Sequence, residues 1–168
     1  MVVLIGIVSA VVLPRLSLSG QLEQRLHADK LVGLLRMAQL RAMNDPSALQ
    51  PRNDTDDLIK HCAKVAITNQ GFSLAKNCNQ PQLLTSQQLK QGQQQGLYLG
   101  ANTVTTNQTL PVVIQFGEAS ASENSELLTT NSWLGRPYMN NQRLTTELDI
   151  IIASETVRIT PEGYIYAP

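Results

Sequence analysis

The sequence predicts an α+β fold, one long N-terminal α-helix packed on an antiparallel β-sheet region, and three observations predict it. No strong breaker other than Pro14 interrupts residues 1–44, after which Asp45-Pro46 ends the helical pattern. The second half of the chain instead breaks into short apolar segments separated by Gly, Pro and Asn turns. Cys62, within the first of those segments, and Cys78, just beyond the second, suit a clip across a hairpin. The chain divides accordingly into a helical part, 1–45, and a β-rich head, 46–168. Within the helix, 1–14 is an apolar front and 15–45 an amphipathic remainder.

Composition narrows the function. The 168 residues suit one domain with a real core. Lys+Arg and Asp+Glu number 13 each, so no net field holds polyanions, which speaks against dedicated nucleic-acid binding. Aromatic content is 4%, which leaves few rings for stacking on bases or sugars and predicts a core of Val, Ile, Leu and Ala.

Residues 1–13 carry no charge. At about 1.5 Å per residue they make only ~20 Å of helix, against a hydrocarbon core of ~30 Å. Pro14 lacks the amide that would bond the Ala10 carbonyl, so a kink is expected there. Gly20 and Gly33 each cost about 1 kcal/mol relative to Ala in a helix interior. On a wheel at about 100° per residue, Ala28, Leu31, Val32, Leu34, Leu35, Ala38 and Ala42 form a broad apolar stripe. Leu22, Leu26, Met37 and Leu40 form a second, narrower one. Glu23, Lys30 and Arg41 separate the two stripes on one flank, and Arg25, Asp29 and Arg36 on the other. A helix packed on one core needs one stripe. The second either meets another partner or is a set of leucines on a solvated face.

Residues 46–57 read as a polar loop. Ile59–Ile67 and Phe72–Lys76 are strand candidates around a turn at 68–71, with Cys62 on the first strand and Cys78 just beyond the second. Two cysteines and two histidines, His27 and His61, fit no zinc pattern. A disulfide across the hairpin is the expectation, contributing about 3 kcal/mol in an oxidising compartment; two reduced, buried thiols are the other reading. The Gln-rich stretch 87–96 is a surface loop or a short helix capped by Ser86. A strand is expected at Leu110–Phe116 and an acidic small-residue loop at 117–125. A final meander follows, Leu148–Ala153, Thr156–Thr160 and Tyr164–Ala167, with turns at Ser154-Glu155 and Pro161-Gly163. Val157 and Ile159 alternate with Thr156, Arg158 and Thr160, as one buried sheet face requires.

No motif carries catalysis, and none implies a cofactor or metal: the chain has no Gly-x-Ser-x-Gly elbow, phosphate loop or His-Glu-x-x-His. His61 and Cys62 are adjacent, which on a strand points them to opposite faces. Arg136, Arg143 and Arg158 read as solvated arginines before a DNA patch. Glu118, Glu123 and Glu126 lack the ordered spacing of a calcium loop. Trp133 and Tyr138 beside Pro137 read as a packed corner before an adhesive contact.

The stretch Val2-Val3-Leu4-Ile5-Gly6-Ile7-Val8-Ser9-Ala10-Val11-Val12-Leu13-Pro14-Arg15-Leu16 resembles the N-terminal segment of type IV pilins and pseudopilins, an apolar helix with a Gly and, eight positions later, a Pro. Gly6 and Pro14 keep that spacing. The basic leader, the Gly-Phe processing site and the early Glu of that family do not occur in this sequence. Aligning Gly6 and Pro14 with the family places Met1 about eight residues inside the mature chain. Restoring them would give ~21 residues, or ~31 Å, of apolar helix. The expectation is therefore that Met1 is an internal methionine.

Trp133-Leu134-Gly135-Arg136-Pro137 and Thr160-Pro161-Glu162-Gly163-Tyr164-Ile165 are similar to the turn and final strand of the H-like minor pilins and pseudopilins, with the mannose-sensitive haemagglutinin pilus subunits as the nearest likeness. The resemblance implies a structural, non-enzymatic minor pilin that acts in pilus assembly and attachment. Val3, Ile5, Gly6, Ile7, Val11, Leu13 and Pro14 would lie in the membrane and then in the filament core. Leu22, Leu26, Met37 and Leu40 would pack on other subunits. Its partners would be other pilins and assembly proteins, and its place the inner membrane with a periplasmic head, then the filament. A secretion pseudopilin shares this physics. A secreted periplasmic binding module is the reading from another class, since Val8-Ser9-Ala10 loosely resembles a signal cleavage site, although no basic region precedes it.

Overall fold

The computed structural model describes residues 2–49, 62–75, 78, 81–85, 87, 98–99, 104–118 and 134–168, with the backbone alone for 2–21, 46–47 and 98–99. Helix α1 (Val2–Asn44) is 43 residues long, about 65 Å at the usual rise, and its backbone stays helical across Pro14. It stops where Asp45-Pro46 dictates. The Asp45 amide still reaches the Arg41 carbonyl (2.8 Å), and the chain then tightens into a 3-10 turn at Pro46–Leu49.

The strands are β1 (Val65–Thr68), β2 (Gly71–Leu74), β3 (Tyr98–Leu99), β4 (Val104–Thr106), β5 (Val112–Phe116), β6 (Pro137–Met139), β7 (Gln142–Arg143), β8 (Leu148–Ile152), β9 (Glu155–Ile159) and β10 (Ile165–Tyr166). They form two antiparallel sheets, ordered β3-β2-β1-β5-β6-β7 and β10-β9-β8-β4. The fold is thus α+β. The register follows the hydrophobic pattern: Ile150 faces Val157, and Ile159 lies between Leu148 and Ile165. A slip of one residue would turn this row to solvent.

One core joins helix and sheets. From α1 it takes Ala28, Leu31, Leu34, Leu35, Ala38 and Ala42, which is the broad stripe without half-buried Val32. The sheets supply Val65, Ile67, Phe72, Ile114, Phe116, Leu148, Ile150, Val157 and Ile159. Leu31 and Leu35 are wholly buried, and each contributes about 1.5–3 kcal/mol by leaving water.

Several boundaries differ from the sequence reading. Cys62 lies ahead of β1 and not on it, because the next amide, that of Ala63, goes to the Ala48 carbonyl of the 3-10 turn (3.0 Å). The second strand ends at Leu74, and Ala75 forms a lone bridge to Leu83. The strand expected from Leu110 begins at Val112, since Pro111 has no amide for the ladder. The turn between β8 and β9 falls on Ala153-Ser154. Residues 59–61, Lys76, 88–96, 119–133 and the loop beyond Leu49 lie outside the described residues.

Cys62 and Cys78 are joined in a disulfide, with Cα atoms 5.6 Å apart and a sequence separation of 16. The bond closes the β1–β2 hairpin at its open end and, with Ala66, Ala75 and Leu83, makes a second small apolar cluster. Beside it, Lys64 is buried and its Nζ donates to the Cys78 carbonyl (3.2 Å). Burial pushes the Lys64 ammonium below its usual pKa. Replacing both cysteines by Ser is expected to cost about 3 kcal/mol and to lower the melting temperature by roughly 10 °C, as measured by circular dichroism against the oxidised parent.

Candidate functional site

Helix α1 is fastened to the head at three heights. At the lowest, Ser154 Oγ donates to Gln24 Oε1 (2.7 Å), and Arg25 Nη1 donates to Glu155 Oε2 (3.3 Å). Midway, Arg36 Nη2 donates to the Ile165 carbonyl of β10 (2.9 Å). At the top, Gln39 Nε2 donates to two carbonyls at once, Gly135 (2.8 Å) and Gly163 (3.0 Å). The two C-terminal stretches singled out in the sequence, around Leu134–Pro137 and Pro161–Tyr164, therefore meet on one helix side chain.

That meeting explains both glycines. Gly163 has φ +97°, in the left-handed region, and a Cβ there would collide with the Gly135 carbonyl oxygen and stand 3.0 Å from Gln39 Nε2. Gly135 has φ +84°, and a Cβ there would press on Met43 Sδ at 3.2 Å.

The fastenings turn the opposite side of α1 outward. Leu22 is 70% exposed, Leu26 51%, Leu40 60% and Met43 51%. Three of the four residues of the narrow stripe are thus on this face. Met37 is a correction: it is half-buried and packs against the main core, because the head reaches round to its flank. Met43 joins the exposed set instead. Gly33 lies among them, exposed, and among the described residues nothing comes within 4 Å of the place its Cβ would occupy. Val3, Ile5, Gly6, Ile7, Val11, Leu13 and Pro14 all belong to α1, and their side chains lie outside the described residues. Among the described residues no helix is long and apolar enough to cross a membrane.

Other candidates are dispersed. Arg158 on β9 gives Nε and Nη2 to Asp149 (2.7 and 3.0 Å) and approaches Glu147 at 3.3 Å. Its hydrogen bond holds the Asp149 carboxyl below the usual carboxylate range. Arg143 lies on the other sheet, in β7, where it and Arg136 both act on Tyr138. Tyr138 is buried on β6, and its phenol is pushed up by burial and then by Glu118. His61, Glu123, Glu126 and Trp133 lie outside the described residues, among which no three His, Cys, Asp or Glu side chains gather as a metal site. An open groove of about 560 Å³ runs between Thr68, Asn69 and Gln70, residues 81–83 and residues 110–111, with no charge in its lining.

Compared with known protein families, curated proteins and solved structures, the chain has no match. What distinguishes it is the helix surface: an α+β domain whose long helix buries one apolar face on its own sheets and exposes another.

Two outcomes follow from this geometry. Gly163→Ala is expected to cost at least about 2 kcal/mol, from the strained φ and the displaced Gly135 carbonyl, and Gln39→Ala about 1–3 kcal/mol, since two carbonyls lose their donor; urea denaturation measures both. The depressed Asp149 pKa contributes stability that is present above the ordinary aspartate value of about 3.9 and lost as pH falls through the folded value. Wild type is therefore expected to melt above Asp149→Asn near neutrality and to converge with it in acid, which thermal scans across pH would show.

Proposed function

We propose that this chain is a structural minor subunit of a type IV pilus-like filament, of the H-like group and nearest to the mannose-sensitive haemagglutinin type. The observation that carries the reading is the exposed apolar face of α1, with Leu22, Leu26 and Leu40 each more than half exposed. Side chains of this kind on a helix already packed on a complete core have no use for water, and a second face of this kind calls for other helices. Further support comes from the uncharged run at 1–13 on the same helix, and from the convergence of the two C-terminal motifs on Gln39.

In this reading the apolar front is held by the inner membrane with the head in the periplasm, and subunit entry moves it from lipid to the helices of neighbouring subunits. The disulfide suits that oxidising compartment. The head then faces outward, where it primes assembly or contributes to attachment. A secretion pseudopilus would use the same surface with different neighbours.

Leu22→Glu, Leu26→Glu and Leu40→Glu are expected to leave unfolding within about 0.5 kcal/mol of wild type, because each site is exposed. The same changes should lower recovery of the chain in sheared surface filaments or pseudopili at least tenfold, read by immunoblot, and the fraction that holds the parent chain decides between pilus and pseudopilus. Recovery of the parent only as a freely soluble protein, in neither fraction, would refute the proposal.

A further inference from the structure

We infer that Gly33 is a docking notch for Leu22 of a second copy of this chain. The inference rests on the filament reading above and names the contact that would set how one helix is placed on the next.

Among the described residues nothing accounts for a glycine at position 33. A glycine within a helix costs about 1 kcal/mol relative to alanine, and among the described residues nothing lies within 4 Å of the missing Cβ. Gly135 and Gly163 differ, since each has a positive φ, and a Cβ at Gly163 would also collide with the Gly135 carbonyl. The reason for Gly33 must come from outside the chain, and close approach of another backbone or side chain is what a helical glycine permits.

Its position fits such a contact. On the wheel Gly33 falls within about 40° of Leu22, Leu26 and Leu40, so the exposed leucines and the gap share one line. Leu26 stands below Gly33 and Leu40 above it, each about 10 Å away along the axis. The result is a gap with leucine walls and a floor of helix backbone.

Charge selects the occupant. Arg36, which keeps its bond to the Ile165 carbonyl (2.9 Å), and half-buried Arg41 flank the upper part of this face, at and above the notch. Glu23, Asp29 and Lys30 flank the lower leucines; Arg25 is held by Glu155 (3.3 Å), and its looser contact with Asp29 (3.8 Å) is one that Asp29 would have to share with a second copy. Placing the lower half of one helix on the upper half of another brings carboxylates to guanidiniums; upper half on upper half would crowd arginines together. With parallel helices an offset of about eleven residues, ~16 Å, sets Leu22 over Gly33 and Asp29 beside Arg41. Setting Leu26 over the notch instead would bring Lys30 level with Arg36, a like-charge contact.

The test uses full-length chains expressed in filament-bearing cells. Gly33→Ala and Gly33→Leu are expected to melt at or above the parent temperature, since both improve helix propensity and meet no neighbour. Gly33→Leu is nonetheless expected to reduce filament recovery at least tenfold. Co-expressed copies carrying Leu22→Cys and Gly33→Cys separately should form an oxidised heterodimer, while either variant alone should not. A lower melting temperature for Gly33→Ala would show that an intramolecular cause was missed and would overturn the inference. So would normal assembly of Gly33→Leu, or a missing cross-link, in cells where Leu40→Glu still blocks assembly; the filament reading would survive those results. If Leu40→Glu also assembles normally, the helix-face reading falls first and the notch with it.

Discussion

The fold depends on the Gln39 carboxamide. Its nitrogen has two hydrogens, and they go to carbonyls 96 and 124 residues away, those of Gly135 and Gly163. A helix can pack on a sheet in many rotations, and apolar contacts alone discriminate weakly among them. Two directional bonds from one side chain select a single rotation, because both carbonyls must lie within reach of one nitrogen. The turns that present those carbonyls approach so closely that a Cβ at Gly163 would collide with the Gly135 carbonyl oxygen. Leu31 and Leu35 supply more energy than this bridge and fix which face of α1 is buried; the bridge fixes where the two turns sit against that face.

The same fastening solves a problem at the sheet margin. β10 is an edge strand of two residues, and exposed edges invite pairing with other chains. Arg36 gives its Nη2 to the Ile165 carbonyl, so the helix covers part of that edge with a cation where another strand would bind. On the second sheet the disulfide acts on the hairpin formed by β1 and β2, and β1 also pairs with β5 at the middle of the six-stranded sheet. A covalent closure there restrains a hairpin on which the rest of that sheet is ordered.

Much of this was legible in the residues, for identifiable reasons. The end of α1 followed from Asp45-Pro46, and its buried face from spacing, since the helical period is strict over Ala28 to Ala42. The final meander followed from alternation, with Val157 and Ile159 inward between polar neighbours. The four shortest additional strands were not legible: β3, β4, β6 and β7 have two or three residues each, too few for any period, and β6 begins with a proline. Met37, expected on the outer stripe, packs against the core because it sits on a boundary of the wheel, where the reach of the head decides burial and the sequence does not; Met43, which the wheel assigned to neither stripe, is exposed. Gln39 gave no signal at all. A lone glutamine on a helix flank is unremarkable until the two glycine turns are folded against it. The two C-terminal motifs could be picked out, but not the fact that they touch.

The exposed face of α1 also bounds what kind of assembly it could support. Covering Leu22, Leu26, Leu40 and Met43, each about half to two-thirds exposed, would contribute on the order of 1–1.5 kcal/mol per side chain. The total, about 5 kcal/mol, lies near the lower end of the roughly 4–15 kcal/mol that association costs in lost freedom. In water this face alone would therefore hold two copies weakly. Within the proposed filament the larger share must come from the uncharged run at 1–13, which has no feature to fix an axial position, being a sequence of Val, Ile, Leu and Ala with one Gly and one Ser after Met1. In that proposed filament the two parts of the helix would have different tasks: the front would supply association energy with little register, and residues 22–43, with leucines, a gap and charges of both signs, would supply register with little energy.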